Sequence, residues 1–478
     1  MLFNSTDFLV FFPIVLMIYF VIPRKMRYIW LLIASYYFYM SLSPHYLILL
    51  VILTLVTYFT GIIMEKSSPK VRKCLLVVCL VISLGILAVF KYAGFVTNGA
   101  FNPILPVGIS FYTFQAVGYI LDVYRGNIQA ERNVVKYALF VSFFPNILSG
   151  PIERGKNILP QIEKISEQQL WNYDRITSGA VLMLWGYFQK MVIADRASLL
   201  VAEVYDHYRM HGATAIIVAT LFFSVQVYCD FASYSNLAVG AARIMGIDLM
   251  RNFETPYFAR SVGEFWRRWH ISLSTWFRDY LYIPLGGNRC SKTRHYLNLM
   301  LVFLVSGIWH GAGLGYIVWG ALHGAYQIIG IQTKQIRSQI ADRLQFKQES
   351  FSYKLMQTGM TFSMVGFAWI FFRSETIGQA GIMISRLFTR WDPWTLFDES
   401  IYTWGLDRKE FWIAMAAIAV LFAVDLVRRV KKQDMIQMLN TQCIWFRWGL
   451  YLLMLFAVLI LGHYGPEYDP QAFLYFDF

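Results

Sequence analysis

The stretch LILLVILTLVTYFTGIIMEKSSPKVRKCLLVVCLVISLGILAVF, Leu47 to Phe90, sets two long apolar runs on either side of a short segment carrying Lys66, Lys70, Arg72 and Lys73. Each run is close to the twenty or so residues that cross the hydrocarbon core of a bilayer. No water is available there for unpaired backbone groups, so the runs must close their hydrogen bonds internally, as helices. The ten-residue alternating segments of a membrane barrel are absent. Similar runs recur along all 478 residues, of which 57% are hydrophobic, 18% aromatic and only 15% charged. The chain is therefore expected to be an all-α polytopic membrane protein.

Outward from this stretch, basic loops set the orientation. Arg24, Lys25 and Arg27 form one such loop and Lys66 to Lys73 the next, and the 38 residues between them fit two helices turning at SLSPH. The excess of basic residues in short loops faces the cytoplasm, which leaves the N-terminus outside. VRRVKK (427–432) and the segment holding Lys334, Arg337, Arg343 and Lys347 are internal by the same rule, and helices over 355–372 and 411–427 bracket an external Trp-rich loop. Further apolar segments fall near 74–90, 104–121, 134–148, 178–194, 213–232, 297–309, 312–331 and 445–462, for eleven to thirteen transmembrane or re-entrant helices in all. The 104–121 segment is interrupted by Pro106, Gly108, Ser110 and Gln115, with Asp122 just beyond it. Such a polar helix at membrane depth is tolerated only inside protein or beside a cavity.

A separate soluble domain needs at least about fifty polar residues, and the longest candidates, 332–354 and 373–410, are shorter. Residues 1–478 read as one membrane domain. The net charge of +13 is carried by short loops flanking apolar runs, which fits membrane orientation and argues against nucleic acid as a partner. Cys74, Cys79, Cys229, Cys290 and Cys443 form no CxxC pair and read as packing residues. Phe8 to Ile22, preceded by Asp7 and followed by Arg24 without a small-residue cleavage site, reads as a retained first helix.

From Arg251 to Tyr296, eight Lys and Arg face three acidic residues, marking a basic cytoplasmic re-entrant or amphipathic segment. Val262, Phe265, Trp266, Trp269, Leu273, Trp276, Phe277 and Tyr280 recur at spacings of three and four, the signature of an amphipathic helix. His270 falls on its apolar flank, away from Arg267, Arg268 and Arg278. An ionisable group so placed is either a packing histidine or a functional one. In GIWHGAGLGYIVWGALHG, Gly307, Gly311, Gly313 and Gly315 surround His310, letting helices approach closely and the backbone break beside an imidazole that desolvation keeps neutral. Neutral imidazole is what a general base requires. His323 is 13 residues on, roughly 20 Å and about 140° away in a continuous helix, which suits packing or a supporting role. No HExxH motif, GxSxG elbow or Walker loop is present, so no metal is expected. What remains is buried histidine chemistry beside an apolar passage, suited to a lipophilic or thioester substrate. Tyr112, Gln115, Asp122, Arg125 and Asp230 either line that passage or support the bundle.

Taken in order, WLLIASYYFY (30–39), LPVGISFYTFQAVGYILDVYRG (105–126), FFPNILSGPIER (143–154), YCDFASYSNLAVG (228–240), EFWRRWHISLSTWFRDYLYIPLGGNR (264–289), GIWHGAGLGYIVWGALHG (307–324) and the terminal FLYFDF span nearly the whole chain. Together they resemble the membrane-bound O-acyltransferase (MBOAT) family, in the branch of the alginate O-acetyltransferase membrane subunit. The resemblance implies an O-acyltransferase with His310 of the WHG motif and His270 as the catalytic pair at a tunnel, in a multi-pass protein of the cell membrane. It implies no tightly bound cofactor, a donor that is acetyl-CoA or an acyl-phosphopantetheine carrier protein on the cytoplasmic side, and an acceptor hydroxyl on an envelope or exported polysaccharide. An extracytoplasmic partner acyltransferase completes the transfer in that system, and membrane lipid surrounds it. Trp266, Arg267, Arg278 and Trp309 then join Tyr112, Gln115, Asp122, Arg125 and Asp230 as candidate substrate-binding residues. D-alanyl transfer to teichoic acid and a non-enzymatic transporter are the alternatives.

Overall fold

A computed structural model of the chain describes residues 1–42 and 44–464 and is helical, with no strand among these residues. Seven of its helices are long and apolar enough to cross a membrane: Pro44–Glu65, Pro69–Val96, Ala213–Ile244, Leu314–Gln332, Phe351–Arg373, Arg408–Lys431 and Ile444–Leu461. Thr6–Val21 is apolar but shorter. The last span leaves Trp445, Leu453 and Ile460 exposed, an outward apolar face that only lipid makes favourable. The chain is a polytopic α-helical membrane protein. The terminal FLYFDF lies outside the described residues.

Local chemistry accounts for the helix ends. The Ser5 hydroxyl accepts from the Phe8 N–H to open Thr6–Val21. Arg27–Met40 and Leu47–Glu65 are the two helices expected on either side of SLSPH. Pro69, whose missing N–H is harmless in a first turn, starts the next helix straight after the basic loop.

Tertiary contacts divide the described chain into two compact units. One holds residues 1–187 and 233–251, the other 188–232 and 252–464. In the first, the segment expected to be broken is a continuous helix, Ile109–Arg125, with its irregularity ahead of it at Gly108 (φ 79°). A Cβ there would lie 2.5 Å from the Ile147 carbonyl oxygen, so close backbone packing demands the glycine. Gln115 is buried, accepts from the Asn146 amide at 2.9 Å and donates to the Phe140 carbonyl. The Gln115 side chain is thus matched internally, which is how a helix with an amide at its centre survives burial.

Glu153 staples the same unit, accepting from the Met250 N–H at 2.5 Å and the Asn157 amide at 2.7 Å. It is 1% exposed, and burial pushes its carboxyl up to about 7. A raised acid stabilises the fold fully below about pH 4.5 and loses that contribution as pH rises through about 7, roughly 3 kcal/mol across the range. Glu153→Gln, which stays neutral, is therefore expected to melt higher than the parent at pH 8 and to lose that advantage at pH 5. Melting curves in detergent at both pH values test this, and a gap that does not change with pH would refute it.

In the second unit, the apolar 213–232 run continues unbroken as one 32-residue helix, Ala213–Ile244, whose last part belongs to the first unit. The 178–194 segment changes character at Phe188, where a π-helix, Phe188–Ala194, interrupts the ladder. It carries Lys190, buried between Asp195 (2.9 Å) and Asp230 (2.6 Å). Trp391 and Trp394, in the expected Trp-rich loop, are exposed.

Candidate active site

Lys292–His310 and Leu314–Gln332 form a tight antiparallel hairpin. A Cβ on Gly307 would overlap the Tyr316 carbonyl oxygen and one on Gly320 the Phe303 carbonyl oxygen, so backbone meets backbone along the seam. His310 is the last residue of the first helix, and Gly311 leaves it in extended backbone (φ −175°). The His310 ring, 2% exposed, packs against Trp309 (4.9 Å between centroids), Trp319 (5.1 Å) and Phe372 (5.4 Å). The glycine cluster acts as its pattern suggests.

The amphipathic helix expected through residues 262–280 is not continuous. It divides into Val262–Arg268 and Ile271–Phe277, followed by a π-helix, Arg278–Tyr282. The break falls on His270 itself, held at φ 42° and ψ 54°. A non-glycine residue in this left-handed region is strained, and such strain concentrates at functional sites. His270 is fully buried, so the periodicity placed it inside although the helix bends there.

Asn252 fixes the imidazole. Its Oδ1 accepts from the Ser272 N–H (3.2 Å) and the Ser272 hydroxyl (2.9 Å), and it faces His270 Nδ1 at 3.2 Å. A backbone N–H only donates, so this amide atom is oxygen and His270 Nδ1 carries the hydrogen. In the neutral ring the lone pair is then on Nε2. The ring stands edge-on to Phe231 at 4.5 Å and lies 6.0 Å from Trp309. Trp309 is thus a neighbour of both candidate histidines.

His323 is closer to this centre than a continuous helix would allow, because the chain turns back after Gly311. The Trp319 ring touches both His310 and His323, the latter at 5.0 Å. Trp266 Nε1–H donates to His323 Nδ1 at 3.1 Å, so Trp266 belongs to the cage of His323. Arg267 and Arg278 are exposed, Arg278 beside Asp279. Asp230 is bound to Lys190. Tyr112, Gln115, Asp122 and Arg125 share the Ile109–Arg125 helix of the other unit, with Asp122 accepting from Asn127 and Arg125 exposed.

The model of the membrane-bound O-acyltransferase family matches residues 129–372, which take in both histidines and their aromatic walls. The chain belongs to that family. The acyltransferase is 36% identical over 461 residues to a probable alginate O-acetylase of Pseudomonas syringae pv. tomato, covering 91% of this chain and 84% of that one. It is 34% identical over 421 residues to a peptidoglycan O-acetyltransferase of Helicobacter pylori, covering 80% and 78% of the two chains. A teichoic acid D-alanyltransferase of Bacillus subtilis matches at 30% over 236 residues, covering 46% and 58%.

Sequence reasoning missed Asn252, Ser272, Phe231 and Phe372. Asn252 is an unremarkable polar residue 18 positions before His270, and Phe372 arrives from a distant helix, so no local spacing marks either. Asparagine tolerates left-handed backbone better than other non-glycine residues, so His270→Asn is expected to melt within a few degrees of the parent while turnover falls at least about tenfold, less than for loss of a general base. Equal turnover in the two proteins would make His270 a packing residue.

Proposed function

We propose that the acyltransferase takes an acetyl group from a cytoplasmic thioester, acetyl-CoA or an acyl-phosphopantetheine carrier protein, and passes it towards hydroxyls of an envelope or exported polysaccharide. The observation that carries this reading is the pair of buried imidazoles, His310 and His270, that share Trp309 as a neighbour. Neutral His310 accepts the proton of the attacking hydroxyl as its oxygen bonds to the thioester carbonyl carbon. The carbon–sulfur bond then breaks, and the departing thiolate takes that proton. His270, held by Asn252, orients donor or acceptor and steadies developing charge. The products are an O-acyl ester and a free thiol.

The polysaccharide acceptor rests on the activities of the relatives, two of which are named as O-acetylating enzymes and match most of the chain. The D-alanyl-transferring relative covers less than half of it, which favours acetyl. A separate acyltransferase outside the membrane then places the group on the polymer. Mass spectrometry of envelope polymers from cells with and without the protein tests the assignment. Acetyl esters that depend on the protein support it; D-alanyl esters would overturn the acyl group, and unchanged polymers would overturn the function.

A further inference from the structure

Behind His310, three buried N–H groups of the aromatic cage have no acceptor among the described residues. Trp266 donates to His323 Nδ1, so the neutral ring carries its hydrogen on Nε2, and that atom has no hydrogen-bond partner among the described residues. The indole Nε1 of Trp319 and that of Trp369 are likewise buried without an acceptor among the described residues. Trp319 and Trp369 are each 1% exposed and His323 fully buried. Trp369 stacks on Trp319 with centroids 5.8 Å apart.

A buried donor without an acceptor costs about 1–3 kcal/mol, so three in one cage call for an explanation. All three donate and none accepts. Water would satisfy them only by stranding its own hydrogens among aromatic rings. A carbonyl oxygen, which accepts and has nothing to donate, matches the lining. Trp319 is the member whose ring also touches His310.

We propose that Trp319 Nε1–H and His323 Nε2–H bind the carbonyl oxygen of the acyl thioester beside His310 and hold the negative charge that collects on it during attack. The inference rests on the acyl-transfer reading above. It gives His323, read from the sequence as a packing or supporting residue, a direct contact with substrate, and it makes Trp266 a positioning residue that selects the His323 tautomer.

The test replaces Trp319 by 3-benzothienylalanine, which keeps the bicyclic shape but puts sulfur where the N–H was, and in a second protein by phenylalanine. The probe is S-acetyl-phosphopantetheine labelled with ¹³C at the thioester carbonyl, the part common to both proposed donors. Thiol release should slow about 10²- to 10³-fold, the usual loss for one such donor, with KM within a few fold and unchanged melting temperature. In a His310→Ala background, slow enough for the bound probe to be recorded before it turns over, the labelled carbonyl stretch should lie at lower wavenumber with Trp319 than with the analogue. Thiol release within about threefold of the parent, or identical carbonyl bands, would overturn the role of Trp319 and leave the acyl-transfer reading standing. A parent protein that neither binds nor cleaves the probe would overturn both.

Discussion

His310→Ala is expected to lower acyl transfer by about 10² to 10⁴, a barrier increase of roughly 3 to 5 kcal/mol. The imidazole packs against Trp309, Trp319 and Phe372, none of which can act as a base in its place. Alanine also opens a cavity, and the loss of rate must be separated from loss of fold. His310→Gln keeps most of the volume and polarity without a usable base, and it should be equally slow while melting near the parent. Turnover at the parental rate in either purified variant would remove His310 from the chemistry.

Lys190→Met is expected to be the most destabilising single change outside the active site. The ammonium is 2% exposed and lies between two carboxylates, Asp195 and Asp230, that are 2% and 4% exposed. Removing it leaves two buried like charges, a loss of about 3 to 5 kcal/mol for a broken buried pair. For a chain of 478 residues that lowers the melting temperature by roughly 3 to 5 °C. Adding Asp195→Asn and Asp230→Asn to the same protein removes both stranded charges and should recover most of the loss. Fluorescence-detected melting of the three proteins in detergent decides it, and a single variant that melts with the parent would show the cluster to be energetically idle.

Much of this architecture can be read from residue order alone, because a bilayer leaves helices as almost the only solution and long apolar runs mark them. The Arg27–Met40 and Leu47–Glu65 pair, the Pro69 start and the glycine-lined hairpin all follow from local rules. Errors arose where tertiary contacts overrode local pattern. The polar residues around Gln115 looked like a break, yet Asn146 and the Phe140 carbonyl satisfy that side chain and let the helix run on. A smooth three-and-four spacing hid the break at His270, because periodicity reports which face is apolar and says nothing about a left-handed residue.

The site divides the same way. His310 and His270 stand out because histidine is scarce and costly in apolar surroundings. The place of His323 beside the same indole as His310 was hidden by treating residues 310–323 as one helix, although Gly311 and Gly313 carried the signal for a turn. Asn252 and Phe372 come from segments 58 and 62 residues away from His310 in sequence, too far for any spacing rule to reach.

The seam between Lys292–His310 and Leu314–Gln332 also bears on attempts to redesign the enzyme. Where Gly307 and Gly320 face carbonyl oxygens, no library can introduce even a methyl group without prising the two rods apart and carrying His310 with them. With the acyl group beside His310 as proposed, room for a longer or bulkier chain would come from trimming the aromatic wall at Phe372 or Trp309. Those two positions, and not the glycines, are where directed evolution of donor preference should spend its diversity.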